Sequence, residues 1–174
     1  MGSHASLIQG ASTASRHTRR GDENNVELPF LTAQPHIHGA EVLFEEMVGA
    51  GVAPDTIAYH SLVVAYEKAG LWNRALEVLD VMKERRVPRD VPVYNTLIRA
   101  CARGGQWELG RDLFEAMQAE GEALEPDAFT FVSLISACAR SGSMELAEEY
   151  FEEMGTRGLT PGVQAYSALL TACA

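Results

Sequence analysis

Three basic side chains recur at nearly equal intervals along this sequence and are its clearest candidates for chemistry. Lys68, Arg103 and Arg140 are separated by 35 and 37 residues, and each stands two residues before a glycine. Equivalent positions of stacked structural units form a row, and a row of cations can contact successive phosphates of a nucleic-acid strand. A solvated helix face is the alternative explanation, and the shared position favours phosphate contact over it.

Residues that could carry catalysis or hold a metal ion form no recognisable pattern. Cys101, Cys138 and Cys173 are separated by 37 and 35 residues, which matches no zinc-binding spacing and instead predicts three core residues at one repeated position. His36 and His38 form an isolated His-x-His pair with no third ligand in view. The sequence has no P-loop, nucleophile elbow or His-Glu-x-x-His motif. We therefore predict that the protein is not an enzyme and has no catalytic residue, metal site or cofactor.

The charge balance of the chain is acidic. Its 174 residues include 24 Asp and Glu against 14 Lys and Arg, for a formal charge of −10, and 47% of them are hydrophobic. No stretch approaches the roughly 18 consecutive apolar residues of a membrane-spanning helix, so no membrane partner is expected. The acidic total argues against a protein that holds nucleic acid by bulk charge alone.

The first 20 residues differ in composition from the rest. Residues 1–20 contain three Arg, four Ser and no acidic residue, so they carry +3 while the remainder carries −13. Because few bulky residues are present, this segment is predicted to be disordered. Its Ser- and Arg-rich composition fits a transit peptide for a mitochondrion or chloroplast, and fits a simple unstructured tail equally well. Residues 21–35 show no clean periodicity, so they are either unassigned or a degenerate first helix.

The elements that must position the basic residues are helices that repeat every 35 to 37 residues. Two sets of residues keep this period: the aromatic residues Tyr59, Tyr94, Phe131 and Tyr166, and the methionines Met47, Met82, Met117 and Met154. Apolar residues follow each aromatic residue at i+3, i+4 and i+7, which is the spacing of one helix face. Gly70, Gly105 and Gly142 are predicted to end the first helix of each unit in a left-handed conformation. Each unit is therefore a helix-turn-helix hairpin, and stacked hairpins form an all-α solenoid.

The period divides the chain from residue 36 onward into three full units and two partial ones. The full units are 56–90, 91–127 and 128–162, and the partial units are 36–55 and 163–174. The two additional residues of the middle unit are predicted in the loop 121–125. The last unit stops within its first helix, which leaves Tyr166, Leu169 and Leu170 without a second helix to cover them. We expect either a longer parent protein or a protein subunit that caps this C-terminal repeat.

The repeated segments resemble the pentatricopeptide repeat. The consensus of that family is similar to the segments AYHSLV, VYNTLI, LFEEM and VAPD, and the likeness covers residues 36–174. The tetratricopeptide repeat, with its Trp-x₂-Leu-Gly-x₂-Tyr first helix, does not match. The resemblance implies P-type-like repeats that form a solenoid with a right-handed superhelical curve. It also implies an organellar protein that binds single-stranded RNA, with approximately one base per repeat.

The resemblance further implies which residues contact RNA. The family reads a base with the fifth and the last residue of each repeat, and packs the second residue on the bases. In this sequence the fifth and last residues are His60 with Asp90, Asn95 with Asp127, Val132 with Gly162, and Ser167, whose partner is missing. The second residues supply the stacking candidates Ile57 and Phe129, and ordinary helix packing is an equal alternative for Phe129.

The three complete pairs differ in what they can recognise. Asn95 with Asp127 matches the family combination associated with uracil, because an amide and a carboxylate can satisfy a pyrimidine edge. His60 with Asp90 lies outside the common combinations. Val132 with Gly162 offers no polar side chain.

The resemblance implies that the first helices line a concave groove and the second helices face outward. The first helices, 56–70, 91–105 and 128–142, hold four basic residues and one acid, Glu67, whereas acids dominate the second helices. We therefore expect a basic groove in an acidic shell. The leading hypothesis is an RNA-binding adaptor in organellar RNA processing, stabilisation or translation. The alternatives are a protein–protein scaffold, such as a subunit of an organellar ribosome, and a longer parent with a catalytic domain.

Overall fold

The computed structural model describes residues 35–121 and 124–173, with side chains from Ile37 onward. The predicted leader, nearly all of the segment 21–35, the His36 side chain and the middle of the loop 121–125 lie outside the described residues. Within the described ranges the chain forms eight α-helices and no strand. They are α1 (Pro35–Gly49), α2 (Thr56–Lys68), α3 (Trp72–Glu84), α4 (Val91–Arg103), α5 (Trp107–Ala119), α6 (Ala128–Ser141), α7 (Met144–Thr156) and α8 (Val163–Ala172). None of these eight helices is long and apolar enough to cross a bilayer.

The helices stack as hairpins in two layers. Helix α2 packs on α3, α4 on α5, and α6 on α7. The first helices α2, α4, α6 and α8 also pack side by side, and each second helix contacts the first helix of the next hairpin. Helix α1 packs on α2 as a second helix does. This arrangement confirms the predicted all-α solenoid of helical repeats.

The repeated aromatic position lies at the centre of each hairpin. Tyr59, Tyr94 and Phe131 are all at most 1% exposed. Three of the repeated methionines are equally buried, with Met82 and Met117 at 0% and Met154 at 1%, whereas Met47 on α1 is partly buried. Large apolar side chains at one helical face therefore form a continuous core through the stack, as the sequence period predicts.

The last helix departs from this pattern. Tyr166 is 54% exposed and Leu170 is 70% exposed, and Leu169 is half-buried. The prediction that Cys173 is a core residue, like Cys101 and Cys138, is wrong, because Cys173 is exposed. The physical reason is that the core position is created by a second helix packing from outside, and within the described residues none follows α8.

Glycines end the first helices as predicted. Gly70, Gly105 and Gly142 have φ values of 75°, 71° and 75°, in the left-handed region that glycine adopts at low cost. The backbone N–H one residue after each glycine bonds back into the helix, as in Leu71 N to Tyr66 O at 2.9 Å. These bonds satisfy carbonyl groups that the end of the helix would leave unpaired.

Aspartates begin the first helices. The carboxylates of Asp55, Asp90 and Asp127 accept hydrogen bonds from the backbone N–H groups of Ala58, Val93 and Thr130, at 2.9, 3.0 and 2.9 Å. Each bond satisfies a donor that the first helical turn leaves unpaired. Helix α8 begins after Gly162, which has no side chain to provide this cap.

We expect Gly104→Ala to destabilise the fold. Gly104 has an ordinary helical φ of −78°, but a methyl group on it would overlap the Trp72 ring, whose Cγ would lie at 2.9 Å. Overpacking of this kind costs about 1–3 kcal/mol of unfolding free energy. Gly155→Ala is the matched control, because no heavy atom lies within 4 Å of its added carbon. Urea unfolding should show a loss only for Gly104→Ala, and equal midpoints would contradict this packing.

We also expect Asp127→Ala to lower the unfolding free energy by about 0.5–2 kcal/mol, the usual effect of removing an N-cap side chain. Asp127→Asn retains an oxygen that can accept from Thr130 N, so it should stay close to the wild type. Urea unfolding of both variants measures the difference. A loss of the same size in both would show that the charge of Asp127, and not its cap, stabilises α6.

Candidate nucleic-acid interface

The fifth residues of the repeats lie one turn into the first helices. Asn95 on α4 is 6% exposed, His60 and Val132 are half-buried, and Ser167 on α8 is exposed. The last residues of the repeats stand immediately before the helix that follows, at Asp90, Asp127 and Gly162. Because adjacent first helices pack side by side, the fifth residue of one helix can meet the residue that begins the next.

One of the three complete pairs makes this contact. The Asn95 amide Nδ2 donates to Asp127 Oδ1 at 3.1 Å. The Thr130 hydroxyl lies 2.5 Å from the Asn95 Oδ1 atom and bonds to it. The Asn95 amide is therefore held by two partners at the start of α6: the last residue of its own repeat, Asp127, and Thr130 of the next repeat. The second Asn95 amide hydrogen and the Asp127 Oδ2 atom have no hydrogen bond within the described residues, so neither is committed to a protein partner there.

The other two pairs are not brought together in this way. His60 Nε2 lies 3.1 Å from the Thr96 hydroxyl, not at Asp90. Since the Thr96 hydroxyl donates to the Pro92 carbonyl at 2.8 Å, it accepts from His60, and Nε2 must carry the proton. Val132 and Gly162 have no polar side-chain atom with which to form a bond.

The two stacking candidates differ in their surroundings. Ile57 is 73% exposed. Phe129 is 39% exposed, and the Arg99 guanidinium carbon lies 5.3 Å from its ring centre. A cation at this distance from an aromatic face is attracted by the ring quadrupole. One face of Phe129 is therefore already occupied by a neighbouring side chain.

The three cations predicted to contact phosphate are all exposed, and among the described residues only Arg103 has an ion-pair partner. Lys68 makes no ion pair within the described residues. Arg103 Nη1 lies 2.8 Å from Glu67 Oε1, and Arg140 Nη2 donates to the backbone carbonyl of Arg103 at 3.2 Å. Arg103, the middle one of the three, is therefore held by an acid from the preceding repeat.

Sequence reasoning missed two features of this surface. The first is that Asp90 and Asp127 are helix N-caps, which an Asp directly before an apolar helical pattern could have indicated. The second is the pairing of Glu67 with Arg99 and Arg103. The spacings of 32 and 36 residues, close to one repeat, are the only signal of that pairing in the sequence.

Cysteine chemistry and metal binding receive no support from the described residues. Burial raises the pKa of the Cys101 thiol to about 12 and that of Cys138 to about 11, so neither forms a thiolate near neutral pH. No group of three His, Cys, Asp or Glu side chains within the described ranges is placed to hold a metal ion.

Comparison with known proteins identifies the repeat. A family model described as "PPR repeat family" matches residues 54–103, 89–140 and 126–174. A mitochondrial pentatricopeptide repeat-containing protein of Arabidopsis thaliana is 33% identical over 81 residues, which are 47% of this chain and 14% of that protein. A chloroplastic one from the same plant is 33% identical over 121 residues, 70% of this chain and 15% of that protein.

A ribosomal protein and a solved structure extend the comparison. The large ribosomal subunit protein mL102 of Arabidopsis thaliana is 28% identical over 109 residues, 63% of this chain and 14% of that protein. The crystal structure of the pentatricopeptide repeat protein PPR10 in complex with an 18-nt psaJ RNA element superimposes with a TM-score of 0.69 and 31% identity. That match covers 79% of this chain and 20% of PPR10.

The chain spans about one seventh of the length of these curated relatives. The family model matches continuously from residue 54 to residue 174, well over half of the chain. The four repeated aromatic residues, the methionines Met82, Met117 and Met154, and the glycines Gly70, Gly105 and Gly142 all fall within that stretch. This chain belongs to the pentatricopeptide repeat (PPR) family.

Proposed function

We propose that this chain binds single-stranded RNA across its first helices as a non-catalytic adaptor. The observation that carries the proposal is the contact between Asn95 and Asp127 at 3.1 Å, which presents the fifth and last residues of a repeat side by side. The likeness to PPR10 in its RNA complex supports the same surface. The exposed row of Lys68, Arg103 and Arg140 supplies cations along it.

The cell compartment follows from the same relatives. Two of the relatives compared above carry "mitochondrial" or "chloroplastic" in their names. We place this chain in one of these organelles, where it would act in the processing, stabilisation or translation of RNA. The Arg-rich composition of residues 1–20 is consistent with import into either organelle.

The chemistry of the Asn95–Asp127 pair favours uracil. The second Asn95 amide hydrogen can donate to a carbonyl oxygen of the base, and Asp127 Oδ2 can accept from the uracil N3–H. Cytosine has a lone pair at N3, which would face the carboxylate without a proton between them. Discrimination therefore rests on one charged hydrogen bond, which is typically worth about 1.5–3 kcal/mol.

A second candidate function is membership of a protein complex, such as an organellar ribosome. The likeness to mL102 favours it. An experiment distinguishes the two functions. RNA binding that depends on the first-helix cations is expected of the RNA-binding adaptor and not of a purely structural subunit.

We expect Lys68→Ala to weaken RNA binding and Lys83→Ala to leave it unchanged. Both lysines are exposed and belong to the same hairpin, but Lys68 lies on the first helix α2 and Lys83 on the second helix α3. Fluorescence anisotropy with a uracil-rich oligonucleotide over a salt series measures the effect. Three phosphate contacts predict a slope of log K against log [salt] of about −2, which Lys68→Ala should reduce in size by about 0.7.

Two results would reject this proposal. One is equal binding by wild type, Lys68→Ala and Lys83→Ala, which would remove the first helices from the interface. The other is wild-type binding no stronger than to a heparin-competed background.

We expect Asp127→Asn to shift base preference from uracil toward cytosine. The substitution replaces the acceptor facing N3 with an amide donor while it retains the helix cap. Two adenine-rich oligonucleotides that differ only in one central base, uracil or cytosine, provide the comparison. The ratio of their dissociation constants should change by about tenfold in favour of cytosine, which corresponds to about 1.4 kcal/mol. An unchanged ratio would mean that this pair does not read the base.

A further inference from the structure

The one acidic residue of the three full first helices is buried between two arginines. Glu67, on α2, has a side chain only 4% exposed. Arg99 donates to both of its oxygens, from Nε at 3.2 Å and from Nη2 at 3.2 Å. Arg103 donates from Nη1 at 2.8 Å. Both arginines belong to α4, so the pairing crosses from one repeat to the next.

The two arginines are held to different degrees. Arg99 forms two parallel bonds with Glu67, the strongest geometry for a guanidinium and a carboxylate, and its face lies over Phe129 at 5.3 Å. Arg103 forms one bond with Glu67, and its side chain is 52% exposed. Arg99 is therefore the main partner of the buried charge, and Arg103 retains donors that face solvent.

The net charge of this cluster limits how many phosphate groups it can bind. Two positive charges and one negative charge leave a single net positive charge. A buried carboxylate cannot remain unpaired, because removing it from water is costly unless a cation stays beside it. One arginine must therefore stay with Glu67 whenever the other contacts an anion.

We propose that Arg99 and Arg103 share Glu67 so that together they form one phosphate site, with Arg99 as the residue that frees Arg103 to make the contact. The inference rests on the proposed function and names a residue that the repeat pattern does not assign. Arg99 is a positioning residue here, since it acts by neutralising Glu67. Lys68 and Arg140 provide the other two phosphate contacts.

Arg99→Ala supplies the first test. Without Arg99, Arg103 is the remaining partner of Glu67 and is withdrawn from RNA although it is unchanged. The size of the salt slope for RNA should fall from about 2 to about 1.4, one phosphate contact fewer. Arg99→Lys keeps the charge beside Glu67 and should retain the wild-type slope, whereas a role for Arg99 in stacking alone would make both variants equally weak.

Removal of the acid supplies the second test. Glu67→Gln leaves both arginines free, so the slope should grow in size to about 2.8. The double variant with Arg99→Ala and Glu67→Gln should return to about 2, because Arg103 no longer has an acid to neutralise. Glu108→Gln on α5 is the matched control: it changes the total charge equally at an exposed outer position and should leave the slope unchanged.

Several outcomes would overturn the inference. These are a wild-type slope in Arg99→Ala, a change in Glu67→Gln no larger than that in Glu108→Gln, or a double variant no better than Arg99→Ala. Circular dichroism melts check that each variant is folded. If Glu67→Gln does not fold, the contrast between Arg99→Ala and Arg99→Lys decides alone.

A heparin column separates failure of this inference from failure of the proposed function. Elution should need less salt for Arg99→Ala than for Arg99→Lys, and more salt for Glu67→Gln than for Glu108→Gln, because heparin is a polyanion without bases. If both differences hold while RNA does not bind above background, the RNA function is wrong and the shared anion site stands. If either difference fails, the shared site is wrong whatever the RNA result.

Discussion

Contact between neighbouring hairpins is the constraint on which the rest of this structure depends. A single hairpin cannot bury the face that carries Tyr94, Leu97 and Ile98, because that face becomes solvent-free only when flanking helices cover it. Helix α4, covered on both sides, buries nine of its 13 residues, whereas α8 leaves Tyr166 and Leu170 exposed. The same sequence pattern is therefore core in one position of the stack and surface in another.

The polar contacts between first helices also form where neighbouring hairpins meet. Asn95 meets Asp127 and Thr130, and Glu67 meets Arg99, only because successive first helices lie side by side. The residues proposed to contact RNA thus also join one repeat to the next. Asp127 shows this most directly, since one of its carboxylate oxygens caps α6 and accepts from Asn95 while the other remains available. The helix cap and the proposed base contact therefore share one side chain.

The sequence predicts the fold more completely than the surface chemistry. The helical faces and the glycine ends depend on the spacing of residues within one helix, and the period depends on the repetition of that pattern along the chain. All three agree with the structure. The surface contacts depend on side chains roughly one repeat apart. Lys68, Arg103 and Arg140 look equivalent in the sequence, yet among the described residues only Arg103 has an acidic partner. Arg103 lies on α4, which packs beside α2 and its acid Glu67. Arg140 lies on α6, and the first helix before it, α4, has no acid.

Two residues show where the limit lies. Cys173 occupies the same sequence position as the buried Cys101 and Cys138, but burial is decided by what packs outside it. In the sequence Glu67 is an isolated acid among basic residues, whereas in the tertiary structure it forms ion pairs with both Arg99 and Arg103. By itself the sequence determined the repeat, the helices and their apolar faces, because these arise from local spacing and backbone preference. Only the tertiary structure decided which polar side chains meet, because those partners become neighbours solely through the packing of successive hairpins.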